Sequence, residues 1–546
     1  MSRKSAGLEK FEKIESIVSK EPINTLKTIV EKYLQEDESL KTLVKSTLPS
    51  FLWLETYLDP PILLLSPPSP SQELHTLPSC KPEHLNVKII SRGFDSFYSQ
   101  KGWMQSTAED ISMQLSNHLV AFSQAMETSY QGKFHLQSED EEDLSIVSVG
   151  SVNQFPVVIF GRLTSEIDGI FTESSILLEG NEECHGNTVL LCDLKQLKSP
   201  FCLFPGQIVA AIGISEEIGN SYNFYVKKLY NGLPVPPPTI SLENIYSKIQ
   251  SLPSHYIDIF CANANLFISP LKQILDAESS PFYKEIRKKS PHFLILFGPL
   301  VPLEQSFDEN LNALPDLRAL YTSYIHNLHL VAKQLPKTRI LLLPHCEDVL
   351  HPYPLPQPAY SKFIISDNIP MPSNIHYMEN PGYFKVNDLH IGLTSCDPLD
   401  ALLHQSLCNP PAEALNLLCQ ELLTQRSFFP FIPSNFPVEY GLLKEMAFNE
   451  EDFPNIFLFS SSAGDSPFAL EVNSHIFINC FLPSSSKESS IGSASNCMTR
   501  LRITSLPIEE NSKSESFSKE CLLNLPSRIY VECYTQKNTK EETTVY

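Results

Sequence analysis

Three things are missing from this sequence: an excess of positive charge, a paired-cysteine motif and a long apolar run. Lys and Arg number 41 against 63 Asp and Glu, a net charge of −22. A chain this acidic repels the phosphate backbone overall, which argues against autonomous, tight nucleic-acid binding and fits docking onto basic partner proteins. The 13 cysteines include no C-x-x-C pair, and their number is odd. That excludes a zinc ribbon, argues against a disulfide framework, and predicts reduced, buried thiols in the cytosol or nucleus. The opening MSRKSAGLEKFEK has no apolar h-region, so no secretory signal is expected. No stretch of about 18 uncharged apolar residues occurs, so no membrane span and no membrane partner are expected. Glycine is also scarce, with 19 residues against 43 prolines, so ordered turns and edges fall to proline.

What is present divides the chain. Residues 1–58 read as a small helical module, with Leu8, Phe11, Ile14 and Val18 at helical spacing and a second run from Ile23 to Tyr33 after Pro22. Residues 59–85 are rich in Pro and Ser and read as a semi-rigid linker. Ser66 and Ser69 each precede a proline there, the context proline-directed kinases use, and are candidate phosphorylation sites. A leading helix over 106–122 follows, with Ser106 and Glu109 as a capping box and Ile111, Leu115, Leu119 and Phe122 on one face. Short apolar runs (FPVVIFGRL, SILLEG, TVLLCDL, GQIVAAIGI, NFYVKKLY) then predict a small closed barrel, which completes a domain over 86–236. Over 237–546, strand-like YIDIFCA, HFLILFG, RILLLP and LHIGLTS alternate with helical stretches, as in α/β layers around a buried sheet, before a Ser/Glu-rich C-terminal segment. The fold class is α+β and multidomain.

The stretch LLLPHCEDVLHPYPLPQP (341–358) holds five metal-capable side chains, His345, Cys346, Glu347, Asp348 and His351. Neighbours in an extended run point to opposite sides, so these residues cannot all face one ion. They are expected to form a turn at the end of a buried strand.

Six motifs in order, SILLEG (175–180), LFPGQIV (203–209), LILFGPL (294–300), LPHCEDVLH with PQPAY (343–360), IGLTSCD (391–397) and LTQRSFFPFIP (423–433), resemble the B subunits of DNA polymerase alpha. The resemblance covers roughly residues 94–535. It implies an OB barrel joined to a calcineurin-like phosphoesterase domain that is catalytically inactive in eukaryotic members. An active relative needs two metals held by D-x-H, G-D-x-x-D, G-N-H-[DE], a lone His and G-H-x-H at successive strand ends. Here those positions read Cys261 and Asn263, then Pro299 and Pro302, then His345 and Cys346 within PHCED, then Ser395 in LTSCD, then Ser460 to Ser462. Proline carries no ligand atom, so no metal, no cofactor and no catalytic residue are expected. DLHIG (388–392) imitates the first motif but falls downstream of the second and third.

The candidate barrel strands carry Phe160, Phe171, Phe224, Tyr225 and Tyr230 but few basic residues (Arg162, Lys195, Lys198, Lys227, Lys228), interspersed with Glu166, Asp168, Glu173 and Glu179. Packing accounts for most of these aromatics, and a protein interface is favoured over a nucleic-acid groove. The resemblance implies a nuclear scaffold subunit that docks the C-terminal zinc-binding domain of the polymerase alpha catalytic subunit. Through that partner it would reach primase and, indirectly, DNA, in support of primer synthesis. The alternatives are an active metallophosphoesterase or nuclease and an independent single-strand binder.

Overall fold

A computed structural model describes residues 85–535 with internal breaks, the longest at 237–255, 265–280, 302–316, 481–496 and 505–528. The helical module, the linker and the SEDEED run expected from the sequence lie outside the described residues. Among the described residues no helix is long and apolar enough to cross a membrane.

The chain enters through β1 (Val87–Ile90) and then helix α1 (Ala108–Ser129). The capping box of α1 falls one residue later than the sequence suggests. Thr107 caps the helix and exchanges hydrogen bonds with Asp110, whereas Ser106 Oγ donates to Glu439 at 2.7 Å. The buried face also sits further along, at Leu119, Phe122 and Met126.

Strands β2 (Asn153–Ser165), β3 (Ile176–Glu179), β4 (Thr188–Cys192), β6 (Ile208–Ile218) and β7 (Ser221–Tyr230) close a barrel in the order β2-β3-β4-β7-β6. The period-2 alternation of strands decides what each face meets. Val157 and Ile159 of β2 and Val209 and Ala211 of β6 fill the barrel with Leu178, Leu191 and Phe224. The residues between them, Val158, Ile208, Ala210 and Ile212, face outward and are covered by Leu119, Phe122 and Met126 of α1. Strand β5 (Phe201–Leu203) stays outside the barrel and pairs with a later strand, β14 (Leu407–Asn409). That pairing sets Cys202 against Cys408, and the two form a disulfide. The expectation of uniformly reduced thiols is corrected here. The two cysteines are 206 residues apart, and only the tertiary pairing of their strands brings them together.

The rest of the body is a sandwich of two six-stranded sheets. Its first sheet uses β8 (Tyr256–Asn263), β9 (Phe293–Phe297), β10 (Arg339–Leu343) and β11 (Ile375–Tyr377), all parallel, in the order β11-β10-β9-β8. Two antiparallel strands, β18 (Cys497–Thr504) and β19 (Ile529–Thr535), extend it beyond β8. Its second sheet runs β1-β12-β13-β15-β17-β16, with β12 (Gly382–Val386), β13 (Leu389–Thr394), β15 (Ile456–Phe459), β16 (Phe468–Val472) and β17 (His475–Asn479). Strand β1 therefore adds to the sandwich, with Val87 opposite Val386, although the sequence groups residues 86–236 with the barrel.

Alternate residues of both sheets meet in one core, among them Ile259, Phe293, Ile295, Leu341, Ile391, Ile456 and Ile476. The opposite face of the first sheet (Phe260, Leu294, Leu342) is covered by α2 (Pro281–Lys289) and α3 (Leu317–Gln334). The opposite face of the second (Phe457, Phe459, Phe477) is covered by α4 (Pro398–Gln405) and α5 (Ala414–Thr424), together with Phe428, Phe429 and Phe431. Sheets buried on both faces read as continuous apolar runs, which is why FLILF and IFLF lack alternation. Arg500 of β18 is tied bidentately to Asp258 of β8, through Nε at 2.8 Å and Nη2 at 2.6 Å, inside this stack.

Candidate functional site

The strand ends of a sheet are where an α/β enzyme keeps its chemistry. In this sandwich the C-terminal ends of parallel β8, β9 and β10, and of parallel β13 and β15, form such a crest.

The five metal-capable side chains of 345–351 diverge at this crest. The Nδ1 of His345 accepts the Glu347 N–H at 3.1 Å, so its lone pair is occupied within the turn. Burial lowers the His345 pKa to about 4, which keeps the ring neutral. Glu347 is exposed. Cys346 turns to Cys396 beyond β13, with the sulfurs 3.5 Å apart. Asp348 points into the body, where its carboxylate accepts the N–H groups of Leu300 (2.8 Å) and Val301 (3.3 Å) and the hydroxyls of Tyr321 (2.8 Å) and Tyr360. Burial raises its pKa to about 6, and these four donors oppose the rise. His351 is fully buried, with Nε2 2.8 Å from the Pro358 carbonyl oxygen; burial lowers its pKa to about 4, so the neutral ring donates there.

The remaining positions are equally occupied. Cys261 is not at the crest at all: its side chain faces the core between the sheets. Asn263 ends β8 and is half-buried. Pro299 is buried in the turn after β9, and Pro302 lies outside the described residues, as do Ser66 and Ser69. Ser395 Oγ donates to the Pro344 carbonyl at 2.5 Å and accepts from Asn380 Nδ2 at 3.0 Å. Asn380 also donates to Gln357 Oε1 at 2.9 Å and accepts from Thr394 Oγ1 at 2.9 Å. The imitation motif is part of β13: the His390 N–H donates to Asn455 Oδ1, and the ring lies 3.7 Å from Asp452. Of the serines after β15, Ser461 exchanges hydrogen bonds with Asn479. Among the described residues no three His, Cys, Asp or Glu side chains converge as metal ligands. The residues present do not fit a two-metal centre: one faces the core, one has no ligand atom, and the polar ones hold neighbouring loops together.

A second polar cluster joins the barrel to the sandwich, and sequence reasoning missed it. Glu421 of α5 is buried; its carboxylate accepts from Gln207 Nε2 (2.8 Å), Asn231 Nδ2 (2.7 Å) and Thr424 Oγ1 (3.0 Å). Burial raises its pKa to about 8. Gln425 bonds both backbone groups of Ile208 in β6, accepting the N–H at 3.0 Å and donating to the carbonyl at 2.8 Å. Arg426 donates to the Pro234 carbonyl and stacks on Phe453. Ile432 donates to the Pro205 carbonyl at 3.0 Å. Gly206, at φ 93°, allows that approach, since a Cβ there would lie 2.3 Å from Ile432 N. The motifs LFPGQ and LTQRSFFPFIP are the two halves of this joint.

The barrel aromatics are engaged in packing. Phe171 and Phe224 lie in its core, and Phe160 and Tyr230 pack edge-on against Phe134 outside it. Arg162 is buried and donates to the Leu115 carbonyl of α1 at 2.6 Å, so it is not available to a phosphate.

Comparison with known proteins follows these two regions. A family model for the B subunit of DNA polymerases alpha and epsilon matches residues 257–466, from β8 to just past β15. One for the OB domain of the DNA polymerase alpha B subunit matches 119–232. The chain resembles the B subunit of DNA polymerase alpha. Curated proteins of that name match from rat (23% identity over 306 residues; 55% of this chain, 46% of the relative) and from Schizosaccharomyces pombe (26% over 315; 55% and 51%). The protein of that name from Caenorhabditis elegans matches at 25% over 320 residues, 57% of this chain and 50% of the relative. The matched span is about half the length of these relatives. The barrel matched as the OB domain is the closed five-stranded barrel described above.

Proposed function

We propose that this chain is a non-catalytic accessory subunit of DNA polymerase alpha and that its sandwich is a calcineurin-like phosphoesterase body without activity. One observation carries the reading. At the strand ends, where a two-metal hydrolase needs free ligands, Asp348, Ser395 and Asn380 are all engaged in holding loops to one another. The name the relatives share, that of an accessory polypeptide of the polymerase, points the same way. In this reading the barrel and sandwich, locked by the Glu421 joint, act as one rigid docking body for the C-terminal zinc-binding domain of the catalytic subunit. Any zinc belongs to that partner. The partner also supplies the link to primase and to DNA, and the site of action is the nucleus. Phosphorylation at Ser66 and Ser69 would add about −1.5 to −2 charges each to the leading segment and retune its docking.

Co-purification from a nuclear extract tests the assignment. The catalytic subunit should be recovered with the chain, and still be recovered after deletion of residues 1–85. Recovery of no polymerase subunit defeats the reading. So does Mn²⁺-dependent phosphodiester turnover by the pure chain that vanishes on His345→Ala.

A further inference from the structure

We propose that Cys346 and Cys396 form a dithiol oxidation site that closes reversibly to a disulfide across the crest. Their sulfurs are 3.5 Å apart, and a disulfide needs about 2.05 Å, so closure asks for an approach of roughly 1.5 Å. The loops that carry them are already tied side by side by the Ser395 hydroxyl on the Pro344 carbonyl at 2.5 Å. Asn380 Nδ2 lies 3.6 Å from Cys396 Sγ and holds it toward its neighbour.

The two thiols differ in access, which sets the order of events. Cys346 is half-buried and Cys396 is buried. A peroxide therefore meets Cys346 first. The hydrogen bond with Cys396 and burial hold the Cys346 pKa up, so its reacting thiolate is scarce and the first step is slow at neutral pH. That thiolate attacks one peroxide oxygen, the O–O bond breaks, and the sulfur becomes a sulfenic acid while the other oxygen leaves as water. Cys396 then attacks that sulfur, the S–S bond forms and a second water leaves. Two thiols and one hydrogen peroxide give one disulfide and two waters; a small dithiol reverses the step. The bond would link the loop after β10 to the loop after β13, one from each sheet. Of the other described free cysteines, Cys261, Cys419 and Cys480 are buried in apolar clusters, away from a peroxide.

Differential alkylation and peptide mass spectrometry of the full chain, before and after hydrogen peroxide, test the proposal. The Cys346 and Cys396 thiols should disappear together, a cross-linked pair of their peptides should appear, and dithiothreitol should restore both. Cys396→Ser should leave Cys346 as a sulfenic acid captured by dimedone, and Cys346→Ser should leave Cys396 unoxidised. The proposal is overturned if both thiols stay alkylatable, if Cys346 runs on to the sulfinic acid in the unmodified chain, or if either cross-links elsewhere. The unmodified chain alone decides the matter should a variant fail to fold.

Discussion

The crest and the joint are built from the same materials and do different work. Each buries a carboxylate among amide and hydroxyl donors, Asp348 in one and Glu421 in the other. At the crest the partners belong to loops at neighbouring strand ends, so the network consolidates one body. At the joint they come from β6, from the turn after β7 and from α5, 190 residues away in sequence for the Asn231 contact, so the network fuses two bodies. A fold shared with enzymes and used as a scaffold has to hold both. The places where a reaction would need free ligands are filled, and the place where domains could hinge is locked.

The largest effect expected is at the crest. Asp348→Ala leaves two backbone N–H groups and two buried phenols without an acceptor, at about 1–3 kcal/mol per orphaned group with partial relaxation. A loss of about 4 kcal/mol in urea unfolding is expected. A loss under about 1 kcal/mol would show that the network is not consolidating the body.

The joint should follow, with a pH signature that separates it from the crest. The carboxyl of Glu421 rises from 4.5 to about 8 on folding and that of Asp348 from 3.8 to about 6. A raised carboxylate contributes stability that is complete below its unfolded pKa and is lost as pH climbs to its folded one. The Asp348 contribution is therefore gone by about pH 6, and between about pH 6.5 and 8 Glu421 is still titrating. His345 and His351, lowered from 6.5 to about 4, act in the opposite sense and weaken the fold as pH falls below 6.5. Unfolding free energy should fall by about 1 kcal/mol per pH unit between about pH 6.5 and 8, and Glu421→Gln should flatten that limb. An unchanged slope in the variant would remove Glu421 from the account.

Gly206→Ala comes next. It places a methyl 2.3 Å from Ile432 N on a backbone at φ 93°, and strain of about 1–3 kcal/mol is expected. Limited proteolysis should then cut between barrel and sandwich before it cuts within either. The smallest effect belongs to Glu347→Ala. This exposed member of the metal-capable stretch should change the free energy of urea unfolding by no more than about 0.5 kcal/mol.

How much of this was legible in the sequence depends on what each residue's partner is. Strands such as FLILF and IVAAIGI declare themselves, because apolar runs bounded by turn residues are local signals. The barrel was legible for the same reason. The facing of Cys261 was not, since which side of a strand meets which sheet is settled by register. Nor was the place of β1, whose partner β12 lies some 300 residues on. The joint motifs are visible as family markers but silent about their role, because Gln207, Glu421 and Gln425 find each other only in the fold. His345, Cys346, Glu347 and Asp348 stand out as ligand types; their divergence is expected from strand geometry, but the turn-to-turn clasp made by Asp348 is not.

The leading segment has a mechanical consequence. Strand β1 lies antiparallel along the edge of the second sheet, and just past it Glu379 receives the N–H groups of Arg92, Gly93 and Phe94. Tension applied to the chain ahead of residue 85 along the strand axis loads the β1–β12 hydrogen bonds in shear, together and not one at a time, with the Glu379 clasp behind them as a stop. The pull is carried by the sandwich, and the barrel downstream of α1 is left unloaded. A tethered factor could thus tug on the leading end without prising the docking body apart.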